Sequence, residues 1–200
     1  MTLGDAPRFK ICVSGAADTA HCGEKSFEVA YNLGKEVARH NCILVEGATT
    51  GFPYFAAKGA KDAGGVVVGF SPAHTEREHI EYYGLPLDYR DVIVYTGFGY
   101  SGRNLILTRA ADAVISGCGR MGPINEFTIA FEDKKPLGIL EGSWDTDELI
   151  KAIVEKSYRA DEMKDKIIFE SDPKILVEKL IEVIKKDKVT NDTLKVVDID

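Results

Sequence analysis

The chain lacks the long apolar runs that membrane segments require. No stretch approaches the ~20 consecutive apolar residues of a membrane-spanning helix. The first ten residues, MTLGDAPRFK, contain no apolar core of signal-peptide length. We therefore expect a cytosolic protein that does not associate with membranes.

An excess of basic residues is also missing. The chain has 25 Lys and Arg against 32 Asp and Glu, which gives a net charge of −7. Nucleic-acid grooves and anionic membrane surfaces favour clustered positive charge instead. The composition thus indicates a small-molecule ligand and no nucleic acid. With 44% hydrophobic residues in a chain of 200, we expect one domain over 1–200, with a charged peripheral tail at 185–200.

Cysteine is scarce, and its spacing argues against a disulfide framework. The four cysteines contain no C-x-x-C pair. Cys12 and Cys42 lie in or beside apolar strand runs, where a reduced thiol packs as a small hydrophobic group. Cys118 lies in a glycine-rich loop and is either a loop-filling residue or a reactive thiol. Because no histidine is near it in the sequence, we favour the loop-filling interpretation.

Several functional fingerprints are absent as well. The turn at Gly15 does not match the G-x-G-x-x-G pattern of dinucleotide sites, and neither glycine loop ends in the Gly-Lys-Ser/Thr of a P-loop. Hydride transfer and P-loop chemistry are therefore disfavoured. The polar group from His74 to His79 lacks the H-E-x-x-H spacing of a helical zinc site, so we interpret it as a solvated face.

Short apolar runs alternate with amphipathic segments along the chain. The predicted strands cover 9–14, 42–46, 66–70, 92–96, 112–116, 136–140 and 166–169. The predicted helices cover 24–40, 54–63, 103–111, a segment from 123, 145–156 and a segment from 173, with a short helix and loop within 75–91. This alternation predicts an α/β fold, a Rossmann-like doubly wound, mostly parallel sheet with helices on both faces.

Loops of small residues follow several of these strands. In a doubly wound sheet such loops gather at the carboxyl edge of the strands, where ligands bind. We predict that substrate is bound there by the loop residues Ser14, Gly15, Gly47, Thr49, Thr50, Gly119, Arg120, Met121 and Gly122. Glu46, at the end of the second strand, either binds ligand hydroxyl groups or forms a salt bridge, and the sequence leaves both open.

The last of these loops leads into Pro123, which suits the first position of a helix. The free N–H groups and positive dipole end of that helix can hold an anion. Glu126 falls in its first turn, where we expect an ionised carboxylate, and Arg103 begins the preceding helix. The opposite charges of Arg103 and Glu126 at one edge predict a nucleotide site.

The same segment resembles the LOG (Lonely Guy) phosphoribohydrolase family. That family has an Arg-Lys pair, an aspartate opening a strand, and then P-G-G-x-G-T-x-x-E. Here Arg103-Asn104, Asp112 and C-G-R-M-G-P-I-N-E at 118–126 follow in that order, and the resemblance extends from Ile11 to about Leu140. Asn104, Cys118, Arg120 and Pro123 depart from the family pattern.

The resemblance implies an activity and an assembly. It implies hydrolysis of the N-glycosidic bond of a nucleoside 5′-monophosphate to free base and ribose 5-phosphate. Glu126 would stabilise the positive charge that develops on the sugar, and Arg103 would hold the substrate. It implies no metal and no other cofactor, and a homodimer or larger homo-oligomer. Arg120 and Pro123 favour the alternative, a non-hydrolytic nucleotide or nucleotide-cofactor carrier or sensor of the same fold.

Overall fold

Seven parallel strands form the centre of the protein, whose computed structural model describes residues 7–188. In chain order they are β1 (Lys10–Ser14), β2 (Ile43–Glu46), β3 (Val66–Ser71), β4 (Val92–Tyr95), β5 (Ala113–Ser116), β6 (Leu137–Leu140) and β7 (Ile167–Glu170). Their order across the sheet is β4-β3-β2-β1-β5-β6-β7. The chain therefore builds outward from β1 to β4 and then returns to pair β5 with the other side of β1. That reversal creates a crevice beyond the carboxyl ends of β1 and β5.

Helices cover both faces of this sheet. Those in the described part of the chain are α1 (Ser26–Arg39), α2 (Gly51–Asp62), α3 (Glu76–Glu81), α4 (Gly99–Ala110), α5 (Met121–Glu132), α6 (Thr146–Lys156), α7 (Ala160–Met163) and α8 (Pro173–Asp187). Apolar residues of α1, α2 and α8 form one core layer with Ile11 and Val13 of β1, and those of α4, α5 and α6 form the other with Cys12. The predicted Rossmann-like doubly wound fold is confirmed.

Three helices begin earlier than the sequence predicted. Prolines 53 and 123 occupy the third position of α2 and α5 and not the first. A proline is tolerated there because the first four N–H groups of a helix have no internal partner. The first turn of α4, Gly99–Gly102, contains two glycines. Because glycine has a low helix propensity, the sequence pattern did not predict this turn as helical.

The end of the chain also differs in part from the prediction. Helix α8 continues to Asp187, into the segment expected to be a peripheral tail, and residues 189–200 lie outside the described residues. The short helix α7 was not predicted. Within the part of the chain that the structure describes, every helix is too short or too polar to cross a bilayer.

Candidate functional site

A cavity of about 440 Å³ opens at the reversal point between β1 and β5. This volume is in the usual range for pockets that bind small molecules. The structure brings most of the predicted site residues into its wall, namely Ser14, Gly15, Gly47, Thr49, Thr50, Arg103, Arg120, Gly122 and Glu126. These residues meet because the loops after β1, β2 and β5 lie side by side at one edge of the sheet, as expected for this topology.

Two predicted residues, Gly119 and Met121, do not line the cavity. The Gly119 N–H donates to Thr146 Oγ1 at 2.8 Å, and the same hydroxyl group donates to the Gly119 carbonyl at 2.7 Å. Met121 is 76% exposed. The Gly119 amide that the sequence suggested for phosphate binding is therefore already used by the first residue of α6.

Arg103 projects from the second turn of α4 into the cavity wall and is only 7% exposed. Its Nε is buried without a hydrogen-bond partner, and no carboxylate of residues 7–188 forms an ion pair with the guanidinium. The guanidinium passes so close to Gly47 that a Cβ atom at that position would overlap Nη1. The glycine thus leaves the space that the cation occupies.

Glu126 projects from α5 and is 6% exposed. Its carboxylate accepts a hydrogen bond from Ser14 Oγ. Burial raises the pKa of Glu126 above the ordinary value, although the Arg103 charge and the Ser14 hydrogen bond act in the opposite direction. Burial thus opposes the ionisation that the sequence predicted for this carboxylate, whereas Arg103 and Ser14 favour it.

The entrance of the cavity contains a second arginine. Arg120 Nη2 lies 3.3 Å from Asp18 Oδ2, and both side chains are largely exposed. Arg120 precedes α5, whose first-turn N–H groups at Met121 and Gly122 have no helical partner. Pro123 contributes no N–H to this turn.

Several cavity residues were missed in the sequence. Tyr83, Leu85 and Tyr100 line the wall, and the rings of Tyr83 and Tyr100 meet edge to face with centroids 5.5 Å apart. Asn104 also lines the cavity. It donates to Asn125 Oδ1 at 2.9 Å, while its own buried Oδ1 has no hydrogen-bond partner among residues 7–188. The aromatic richness of 75–91 was visible in the sequence, but its position beside Arg103 depends on the path of the α3–β4 loop.

The role of Glu46, left open above, is structural. Its carboxylate forms a bidentate pair with Arg90, with Nε–Oε1 at 2.8 Å and Nη2–Oε2 at 3.1 Å. Both side chains are 0% exposed. Arg90 Nη2 also donates to the carbonyl of Thr49 at 2.7 Å, so the pair fixes the β2–α2 loop.

The prediction of a solvated face at 74–79 is wrong for His79. Its imidazole is fully buried, with Nδ1 2.8 Å from Ser71 Oγ and Nε2 3.1 Å from the Pro86 carbonyl. The buried ring connects the end of β3 to the loop that contributes Tyr83 and Leu85 to the cavity. His74, by contrast, is exposed.

The cysteine expectations also need correction, because Cys22 and Cys118 form a disulfide. They are 96 residues apart in the chain. They meet because the loops after the neighbouring strands β1 and β5 touch, as the 2.7 Å bond from Ala16 N–H to the Cys118 carbonyl also shows. His21 comes with them, with Nε2 3.7 Å from Cys118 Sγ. Cys12 and Cys42 are free and buried, as predicted.

A family model described as the SLOG cluster4 family matches residues 8–177. The chain belongs to the SLOG cluster4 family. An uncharacterized protein of Archaeoglobus fulgidus is 31% identical over 132 residues, which cover 66% of this chain and 82% of that relative.

Two solved structures are informative neighbours. The molybdenum cofactor carrier protein of Chlamydomonas reinhardtii has a TM-score of 0.70 and 25% identity, covering 90% of this chain and 99% of its own. DNA processing protein A of Helicobacter pylori, described with a single-stranded DNA binding mode, has a TM-score of 0.59 and 17% identity, covering 87% of this chain and 80% of its own. The resemblance found in the sequence thus holds at the level of the SLOG family and its Rossmann-like fold. The second neighbour means that the fold alone does not exclude a nucleic-acid ligand.

Proposed function

We propose that this SLOG protein binds a nucleotide or a nucleotide-like phosphorylated cofactor and releases it unchanged, as a carrier or sensor does. The observation that supports this most directly is the buried guanidinium of Arg103, which lines the cavity and forms no direct ion pair with any carboxylate of residues 7–188. Burial of an unpaired charge is costly, and an anionic ligand removes that cost. The planar donors of arginine suit a phosphate group in particular.

The ligand phosphate is expected near Arg103 and the first turn of α5. Ser14 and Gly122 are small residues in this part of the wall, so that a ligand can approach the backbone, whereas the absence of a side chain at Gly15 makes room for Phe52. The positive end of the α5 dipole points the same way. Arg120 at the entrance adds a second guanidinium, which would exchange its exposed partner Asp18 for the phosphate.

A planar heterocycle fits the aromatic part of the wall. Tyr100 is 52% exposed and meets Tyr83 edge to face, which leaves ring surface available for stacking. Asn104 adds an amide side chain to the same wall, which suits recognition of polar groups on a base or a ribose. A base or a related heterocycle linked to a phosphate would use both ends of one cavity.

Non-hydrolytic binding is favoured by the departures in the phosphate loop. Pro123 offers no N–H, and the Gly119 amide is bonded to Thr146. The 25% identical neighbour described as a molybdenum cofactor carrier supports the same class of function. The acidic composition, with a net charge of −7, disfavours a nucleic acid as the ligand.

Hydrolysis of a nucleoside 5′-monophosphate is the second candidate. The observation in its favour is that Glu126 and Arg103 line the same cavity. In its ionised form Glu126 would stabilise the positive charge that develops on the sugar, and in its protonated form it would donate to the leaving base. The pair would act as the LOG resemblance implies, with Arg103 holding the phosphate or the base.

A binding experiment with matched variants tests the first proposal. Isothermal titration with AMP, GMP and the corresponding nucleosides should show binding of at least one monophosphate and weaker binding of its nucleoside. Arg103→Met should lower that affinity by about tenfold or more, which is the value of one charge-assisted contact. Arg109→Met serves as control, because Arg109 lies on the same helix and pairs with Asp133 away from the cavity. Equal affinity of nucleotide and nucleoside, or no effect of Arg103→Met, would contradict the proposal.

The two candidates separate in a product assay. Each monophosphate that binds is incubated with the protein, and free base and ribose 5-phosphate are measured by chromatography. A carrier or sensor gives binding without free base. Release of base that is abolished by Glu126→Gln, with binding largely retained, would establish the hydrolase instead.

A further inference from the structure

Three metal-ligating side chains meet beside the cavity, at a place that the proposed function does not use. They are His21 and Cys22 in the loop between β1 and α1, and Cys118 in the loop after β5. Their ligand atoms all lie within 4.8 Å of one another. The two sulfur atoms belong to buried residues, whereas His21 is exposed, so the group can be reached from solvent on the imidazole side.

The position of the imidazole matches what a shared metal ion needs. His21 Nε2 lies 3.7 Å from Cys118 Sγ and 3.8 Å from Cys22 Sγ. In a tetrahedral zinc site, Zn–S bonds of about 2.3 Å and Zn–N bonds of about 2.0 Å place nitrogen and sulfur roughly 3.6 Å apart. The histidine therefore already stands at ligand distance from both sulfur atoms. The sulfur atoms are bonded to each other in this structure, and after reduction they have to separate to roughly 3.8 Å to bind one zinc ion.

We propose that reduction of the Cys22–Cys118 disulfide converts this cluster into a zinc site with His21 Nε2, Cys22 Sγ and Cys118 Sγ as ligands. A dithiol reductant supplies two electrons and two protons, gives two cysteine thiols, and itself becomes a disulfide. Binding of one Zn²⁺ then releases both thiol protons to water, since thiolates are the ligands. Three protein ligands leave the fourth position for a water molecule or an external ligand, which is typical of open zinc sites.

The other two cysteines are poor competitors for the ion. Burial raises the pKa of the Cys12 thiol, and it raises that of Cys42 to about 11. Both thiols therefore lose a proton less readily than an ordinary cysteine, and neither belongs to the group of metal-ligating side chains around His21. The cluster of His21, Cys22 and Cys118 thus provides a specific site and not merely free thiol groups.

The position of the cluster joins two walls of the cavity. Cys118 lies in the loop that leads to Arg120 and Gly122, and Cys22 lies in the loop that begins at Gly15, directly after Ser14. In the oxidised protein a covalent bond joins the two loops, and in the reduced, metal-loaded protein the ion takes its place. Both of these states link the two loops directly. In the reduced, metal-free protein, the cysteines no longer link them, and the hydrogen bond from the Ala16 N–H to the Cys118 carbonyl still joins the loops.

Cobalt is the spectroscopic probe for this site. Protein reduced with an immobilised phosphine, so that no thiol reagent remains, is titrated with Co²⁺ and then with Zn²⁺. The expected result is one equivalent of Co²⁺ with a thiolate-to-metal charge-transfer band and tetrahedral d–d bands, all removed by Zn²⁺. The oxidised protein should bind neither ion at this site.

Variants assign the ligands. Cys22→Ser and Cys118→Ser should each abolish the charge-transfer band or weaken Zn²⁺ binding by about 100-fold or more, and His21→Asn should weaken it by at least about tenfold. Cys42→Ala and His74→Asn are the controls, because both residues lie outside the cluster. His21 is exposed, so its variant tests the site even where a cysteine variant fails to fold. A reduced protein without the thiolate band, or an unchanged affinity in His21→Asn, would overturn the proposal.

Discussion

The buried pair of Glu46 and Arg90 gives a sharp test of how the cavity wall is held. Both side chains are 0% exposed, and Arg90 also donates to the carbonyls of Thr49, Pro86 and Asp88. Arg90→Met removes all of these bonds and leaves the Glu46 carboxylate buried without its counter-charge. Loss of one partner of such a pair costs about 3–5 kcal/mol of the free energy of unfolding. For a chain of this size that lowers the thermal midpoint by about 6–20 °C.

Equilibrium urea unfolding, followed by circular dichroism, measures this effect. The matched control is Arg109→Met, which removes a bidentate guanidinium from Asp133 in an exposed pair. Because water screens that pair, the control should unfold close to the wild type. If Arg90→Met were no more destabilising than Arg109→Met, the buried pair would not hold the loop, and our account of the wall would be refuted.

Three further predictions concern Glu126, Gly47 and the disulfide. Burial raises the pKa of Glu126 above 4.5, so any stability that the wild type has relative to Glu126→Gln should be present below that pH and lost as the pH rises through the pKa of the folded state. Urea unfolding from about pH 4 to about pH 8 measures this difference, and a difference that grows with pH would contradict the prediction. Gly47→Ala should displace the Arg103 guanidinium and weaken nucleotide binding in calorimetry by about tenfold; unchanged affinity would show that the cation has room elsewhere. Reduction of Cys22–Cys118, which closes a segment of 96 residues, should lower the free energy of unfolding by about 2–5 kcal/mol; an equal urea midpoint with and without reductant would contradict it.

The sequence was most informative where local pattern decides structure. The apolar runs that end at Ser14 and begin at Val66 are too short for helices and are bounded by glycine-rich turns, which predicts strands. The structure confirms both strands. Because these strands alternate with amphipathic helices, the sheet is predicted to be parallel, and the loops that follow the strands then lie at one edge of it. For that reason Arg103 and Glu126, 23 positions apart, could be assigned to the same edge before any coordinates.

Long-range partners were not accessible in this way. Nothing local in the chain pairs Glu46 with Arg90, or Cys22 with Cys118, because each pair forms only when separate loops meet at the sheet edge. The burial of His79 was hidden for the same reason, since its partners come from β3 and from the following loop. Sequence pattern thus predicted the edge, while tertiary contacts determined which of its polar groups remain available to a ligand.

The central claim is that the cavity beside β1 and β5 holds a phosphorylated heterocycle against Arg103. A crystal structure of the protein with the tightest-binding nucleotide from the titrations is its most direct test. We predict electron density for the phosphate within hydrogen-bond distance of the Arg103 guanidinium, and for the ring against Tyr100. Density for the ligand elsewhere on the surface, with this cavity holding only water, would contradict the account.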